Sequence, residues 1–147
     1  MKNPKLPKQK SIVKQFLKQE RGETRPKIIK KMDALFSKEI KKRYQGICIK
    51  CGKVKPRAGV THYFGRKYIS TRWDFKNCQW ACFSCHTFGK ECLEHNKGYG
   101  EWYWGYMLKE LGEKGFGDLN MKAHADTKWP TSDLKILLLE FEKENFV

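Results

Sequence analysis

The chain has 147 residues, 39% of them hydrophobic and 14% aromatic, enough for one compact core and too few for two full-sized domains. Its 31 Lys+Arg against 16 Asp+Glu leave a formal charge of +15, which favours a polyanionic partner through counterion release and long-range steering. No apolar run approaches the roughly 20 residues of a spanning helix, and the opening MKNPKLPKQK has no hydrophobic stretch behind it. Neither membrane insertion nor secretion is therefore expected, and nucleic acid is the favoured partner.

The charge is unevenly placed. Residues 1–43 hold 15 Lys+Arg and 4 Asp+Glu, whereas residues 44–147 hold 16 and 12. Residues 1–30 read as a basic N-terminal arm, partly flexible and partly helical. Its first ten residues, with Pro4, Pro7 and four lysines, bury too little apolar surface to offset ordering; a solubilising tail is the plain alternative. Ile12, Val13, Phe16 and Leu17 have helical spacing, and Ile28, Ile29, Met32, Leu35, Phe36 and Ile40 have it more strongly, with Pro26 suited to the first turn of that second helix.

Between Tyr44 and Asn77 the pattern changes to short β-like pieces punctuated by Gly46, Gly52, Gly59, Gly65 and Pro56, which predicts a small hairpin region there. Helix returns from Cys82 onward. Trp102 to Leu111 is one helical segment and Ser132 to Asn145 another, with Ser132 placed to cap it ahead of Leu134, Leu137, Leu138 and Phe141. Gly112, Gly115 and Gly117 are expected to break the chain between the two.

Cys48 and Cys51 form one C-x-x-C and Cys82 and Cys85 another, with 30 residues between the pairs. Two such turns can aim four sulfurs at one point, the usual construction of a four-thiolate tetrahedral zinc site. A disulfide framework competes, but without a secretory segment the expected compartment is reducing. The wide gap calls for an inserted structure, which the hairpin region supplies. Cys78 and Cys92 fall outside the paired pattern and are expected to be buried thiols.

His86 follows the last of these cysteines, and a closed four-thiolate site has no place for it. A zinc ribbon that only binds DNA needs no particular histidine there, whereas a hydrolase built on the same clip does. His62, in GVTHYFGR, and Asn77, just before the second pair, then become candidates as well. Their plain readings are a surface or core histidine and a turn-forming asparagine. His95 reads as a surface or helix-end residue, and His124, in a polar stretch, is assigned no role.

The order C-x-x-C, His62, Asn77, C-x-x-C, His86 resembles the HNH (ββα-metal) nucleases. More closely, CIKCG, THYFGR, TRWDFKNCQWACFSCH and HNKGYGEWYWGYMLKELG resemble the NinG/Rap family of phage recombination endonucleases, over roughly residues 32–145. The resemblance implies an α+β fold with a small zinc-clipped ββα-metal nucleus surrounded by helices, its nuclease domain spanning 31–147. It implies a metal-dependent, structure-selective DNA endonuclease for branched recombination intermediates of the Holliday-junction or D-loop type. Such a protein would be phage- or prophage-encoded and act in the cytoplasm of a bacterial host.

Residue by residue, the resemblance puts His62 at the general base that activates water, Asn77 at the amide that fixes the loop, and His86 at a ligand of the catalytic Mg²⁺ or Mn²⁺, distinct from the structural Zn²⁺. Many HNH nucleases have an aspartate just before the first histidine, and here that position is Thr61. Asp74 can supply a carboxylate if the fold brings it close. Arg66, Lys67, Arg72 and Lys76 flank the base and are candidates for gripping the DNA backbone. Tyr99, Trp102, Tyr103, Trp104 and Tyr106 form an aromatic stripe suited to core packing or a subunit interface, with stacking on unpaired bases as the other use. A symmetric four-way junction calls for two cuts, which a homodimer supplies. The alternatives are a non-catalytic zinc-ribbon DNA-binding protein and a sequence-specific HNH endonuclease.

Overall fold

The computed structural model describes residues 23–87 and 100–144; the segment Ile12–Leu17 and residues Cys92, His95 and Tyr99 lie outside them. Helix α1 (Arg25–Arg43) buries Ile28, Met32, Phe36 and Ile40, one residue per turn, and carries Pro26 in its first turn as the spacing predicts. Residues 25–30 of the basic arm lie within this helix. Lys41, Lys42 and Arg43 sit in the last turn, where the exposed carbonyl ends favour cations. The chain then leaves through a Schellman turn: Gly46 N–H donates to the Lys41 carbonyl and Gln45 N–H to that of Lys42, with both residues at positive φ.

Strand β1 (Ala58–His62) pairs antiparallel with β2 (Cys78–Cys82), from Ala58 opposite Cys82 to His62 opposite Cys78. The second strand therefore lies beyond the hairpin region expected at 44–77, and a 15-residue loop, 63–77, containing the short helix α2 (Ile69–Arg72), joins the two. Every residue of β2 is buried. With both faces covered, CQWAC has no polar alternation to mark it as a strand. Helix α3 (Phe83–Thr87) follows directly, so the central order is strand, loop, strand, helix.

Helices cover the pair on both sides. Val60, Cys78 and Trp80 pack with the α1 stripe and with Leu134 and Leu138 of α5 (Thr131–Glu144). Tyr63, Phe64 and Ala81 pack with Tyr103, Met107, Leu119 and Ala123 of α4 (Gly100–His124). Gly112 kinks α4 with φ 68° and ψ 169°, a region that only glycine enters freely. Gly115 and Gly117, expected as further breaks, are helical. Burial of Leu119 and Ala123 outweighs a glycine cost of about 1 kcal/mol each. Ser132 is inside α5 rather than capping it, its hydroxyl turned to Asp133. No helix among the described residues is long and apolar enough to cross a membrane.

Candidate functional site

Two tight turns build the metal centre. In the first, Gly52 at φ +66° lets its N–H reach the Cys48 carbonyl at 2.9 Å while Cys48 N–H reaches that of Lys53. Ile49 N–H donates to the Trp80 carbonyl at 3.0 Å, tying this turn to β2. In the second, Cys82 ends β2, Cys85 lies in α3, and Phe83 N–H donates to the Arg57 carbonyl at 2.8 Å. The four ligand atoms of Cys48, Cys51, Cys82 and Cys85 fall within 4.8 Å of one another, with Cys51 and Cys82 sulfurs 3.8 Å apart. Zn–S bonds of about 2.3 Å in a tetrahedron put sulfurs about 3.8 Å apart. The cluster is shaped for a structural metal such as zinc, and all four cysteines are free thiols. Burial raises the Cys82 thiol, but hydrogen bonds from Ser84 and Cys85 outweigh it and bring it down to about 6. Burial and the Cys82 hydrogen bond push Cys85 up to about 12. One sulfur thus ionises at its neighbours' expense.

His62 closes β1. Its Nε2 lies 3.0 Å from the Arg72 carbonyl oxygen, which also receives the Cys78 thiol at 3.4 Å. Burial, then the charge of Arg66, lowers the ring's pKa to about 4, so His62 is neutral at pH 7. Strand alternation turns Thr61 the other way, toward the buried Tyr103 hydroxyl that bonds it and Gln79.

Asn77 is fully buried and holds the connecting loop. Its Oδ1 accepts from Phe64 N–H at 2.7 Å, and its Nδ2 donates to the carbonyls of Phe64 and Thr71 at 2.9 and 3.0 Å. From the end of the loop, this one side chain ties its start at Phe64 to its middle at Thr71, one residue from the carbonyl that meets His62.

His86 lines a groove of about 410 Å³ with Arg57, Gly59, Val60, Arg66 and Phe83. His62 is not part of its wall. Arg66 links the two histidines: it lines the groove and its charge acts on His62. Among the described residues no acidic side chain lines the groove, and no Cβ stands at Gly59, so an anion can approach the main chain there.

Asp74 is engaged elsewhere, accepting from Lys76 N–H at 2.9 Å and from Lys122 Nζ at 2.5 Å. Among the described residues, the four cysteines form the only grouping of three or more His, Cys, Asp or Glu able to hold a metal. Arg66, Lys67 and Lys76 are exposed, with the Lys67 ammonium over the Tyr68 ring. Arg72 instead turns inward. Its Nε and Nη2 fork onto Asp33 at 3.0 and 2.6 Å, and Nη1 reaches the Arg66 carbonyl. Asp33 also accepts from Trp73 Nε1 at 2.9 Å. Burial works to raise the Asp33 pKa, but the Arg72 and Trp73 bonds outweigh it and lower it. Asp33 has no sequence signal, because its partners lie 39 and 40 residues away.

Of the aromatic stripe, Tyr103 is buried, Trp102 and Trp104 are exposed, and Tyr106 stacks on Trp102 with centroids 5.5 Å apart. Comparison of the chain with family models, curated proteins and solved structures finds no match.

Proposed function

We propose that this chain is a metal-dependent HNH-type endonuclease selective for branched DNA, with a zinc-clipped scaffold and His62 as the base. The observation that carries this is the His62 ring: neutral at pH 7 and bonded to a carbonyl in the loop that Asn77 pins. In the tautomer that donates Nε2–H to that carbonyl, Nδ1 keeps the lone pair that takes a proton from the attacking water. Support comes also from the order of strand, Asn77 loop, strand and His86 helix around the cysteine centre, which parallels the ββα-metal pattern.

Arg57 and Arg66 in the His86 groove suit a phosphodiester, and Lys67 and Lys76 suit neighbouring phosphates. Arg72 acts by positioning the His62 carbonyl rather than by gripping DNA. His86 and substrate oxygens would hold Mg²⁺ or Mn²⁺, which when bound supplies Lewis-acid stabilisation of the departing oxygen. Asp74, ion-paired with Lys122, contributes nothing to this ligation. A homodimer would make the paired cuts of a symmetric junction, in the cytoplasm of a bacterial host.

A second reading is a zinc-ribbon DNA-binding protein without catalysis. It is favoured by Thr61, buried where many HNH enzymes carry an aspartate, and by a described metal grouping made of cysteines alone. Labelled duplex, forked and four-way-junction DNA incubated with the zinc-loaded protein in buffer without added divalent ion, or in Mg²⁺ or Mn²⁺, separates the two. The nuclease cuts the branched substrates only with a divalent ion; the ribbon binds them and cuts none.

A further inference from the structure

A second pocket, of about 490 Å³, opens between the C-terminal end of α1, the turn after Arg72, and both halves of α4. Its volume is that of a small-ligand site, about 300–1,000 Å³. Phe75 is 38% exposed on its wall, its inner side packed on Phe36 at 5.0 Å and the Arg43 guanidinium 5.5 Å from its centroid. Tyr106 is backed by Trp102 and hydrogen-bonded to Tyr44, so its ring is held in place. Arg43 and Lys76 supply positive charge, and Lys122 is neutralised by Asp74. Among the described lining residues Glu110 is the remaining acid.

We infer that this pocket holds an unpaired base of a single-stranded DNA segment, a deduction that rests on the DNA-directed reading above for its ligand class. The base stacks on the aromatic wall of Phe75 and Tyr106, and the flanking phosphates lie on Arg43 and Lys76. Glu110 accepts from an exocyclic amino group, which adenine, cytosine and guanine carry and a phosphate does not. A peptide or duplex DNA would use the charge without needing the ring faces. Such a site would tell a branched or frayed substrate from plain duplex, which the cationic His86 groove cannot do.

The test is binding of forked DNA with 2-aminopurine in its single-stranded arm, with the zinc-loaded protein and no Mg²⁺ or Mn²⁺ added so that nothing is cut, beside a plain duplex. Phe75→Leu keeps the packing on Phe36 and removes the ring face; Glu110→Gln is its exposed companion, and thermal melting checks both folds. The wild type is expected to change the 2-aminopurine fluorescence. Phe75→Leu should weaken fork binding by about 5-fold or more, with duplex binding unchanged. Equal loss on fork and duplex, or no loss on the fork, would overturn the inference. Fork binding that depends on Phe75 in a protein that cuts nothing would refute the nuclease and leave the pocket standing. Junction cutting with Phe75-independent fork binding would do the reverse.

Discussion

His62 and Asp33 never touch, yet both are joined through Arg72, whose carbonyl meets the His62 ring at 3.0 Å while its guanidinium forks onto the Asp33 carboxylate. The carboxylate thereby fixes the main chain that meets the His62 ring, the base in the proposed mechanism. Asp33→Ala strips partners from Arg72 and from Trp73 Nε1. With the pair only partly buried, a loss of about 2 kcal/mol is expected, read as a fall of about 4–8 °C in Tm. Cleavage should fall by about tenfold in kcat with KM little changed, since the residue positions a base and touches no substrate. A variant with wild-type Tm and kcat would show that the fork holds nothing in place.

Asn77→Ala should be among the most damaging single substitutions. It leaves Phe64 N–H and the Phe64 carbonyl without their Asn77 partner, each at about 1–3 kcal/mol, and takes one of its two donors from the Thr71 carbonyl, which keeps Asp74 N–H. A denaturant titration should show a loss of about 3 kcal/mol or more. A loss below about 1 kcal/mol would mean that the loop is held by other contacts.

The low basicity of His62 sets a pH signature. Its folded pKa, about 4, lies below the usual 6.5, so the unfolded chain binds the extra proton between those values. Stability is therefore lost as pH falls from about 6.5 to about 4 and is fully regained above it. His62→Gln should flatten the stability profile in that window, measured as urea midpoints at pH 7 and 5. The acid limb of kcat/KM should lie near 4 rather than 6.5. A limb near 6.5 would place the working base elsewhere.

Removal of zinc should cost the fold more than any surface change, because structural zinc contributes about 10–16 kcal/mol in zinc-finger peptides, comparable with the whole stability of a domain. Metal analysis should find about one zinc per chain. Cys48→Ser and Cys82→Ser should lose it, and chelation should abolish near-ultraviolet circular dichroism around Tyr63 and Tyr103. Cys78→Ala should retain the metal, because its buried thiol faces the Arg72 carbonyl and not the cluster. A chelated protein with unchanged melting would remove the metal from the fold.

The cysteine centre and the α1 stripe were legible in the sequence because both are written in fixed spacings, ligand turns in one case and helical period in the other. Cys78 could be read as a buried thiol by its place outside the paired pattern. Strand β2 could not be located, since five buried residues in a row carry no period. Nor could the helical state of Gly115 and Gly117, decided by what Leu119 and Ala123 pack against. The inward turn of Arg72 was equally hidden: a basic residue beside a candidate base suggests phosphate, and only the fold brings Asp33 to it.

The central claim is tested most directly by single-turnover cleavage of labelled four-way-junction DNA in Mg²⁺ by the wild type and His62→Ala, at matched zinc content. The expected result is metal-dependent cutting by the wild type and a fall of at least about 100-fold in the variant, the scale of a lost general base, with junction binding retained. Equal cutting by both proteins would contradict His62 as the base. Tight binding without cutting by the wild type in either Mg²⁺ or Mn²⁺ would contradict the nuclease itself.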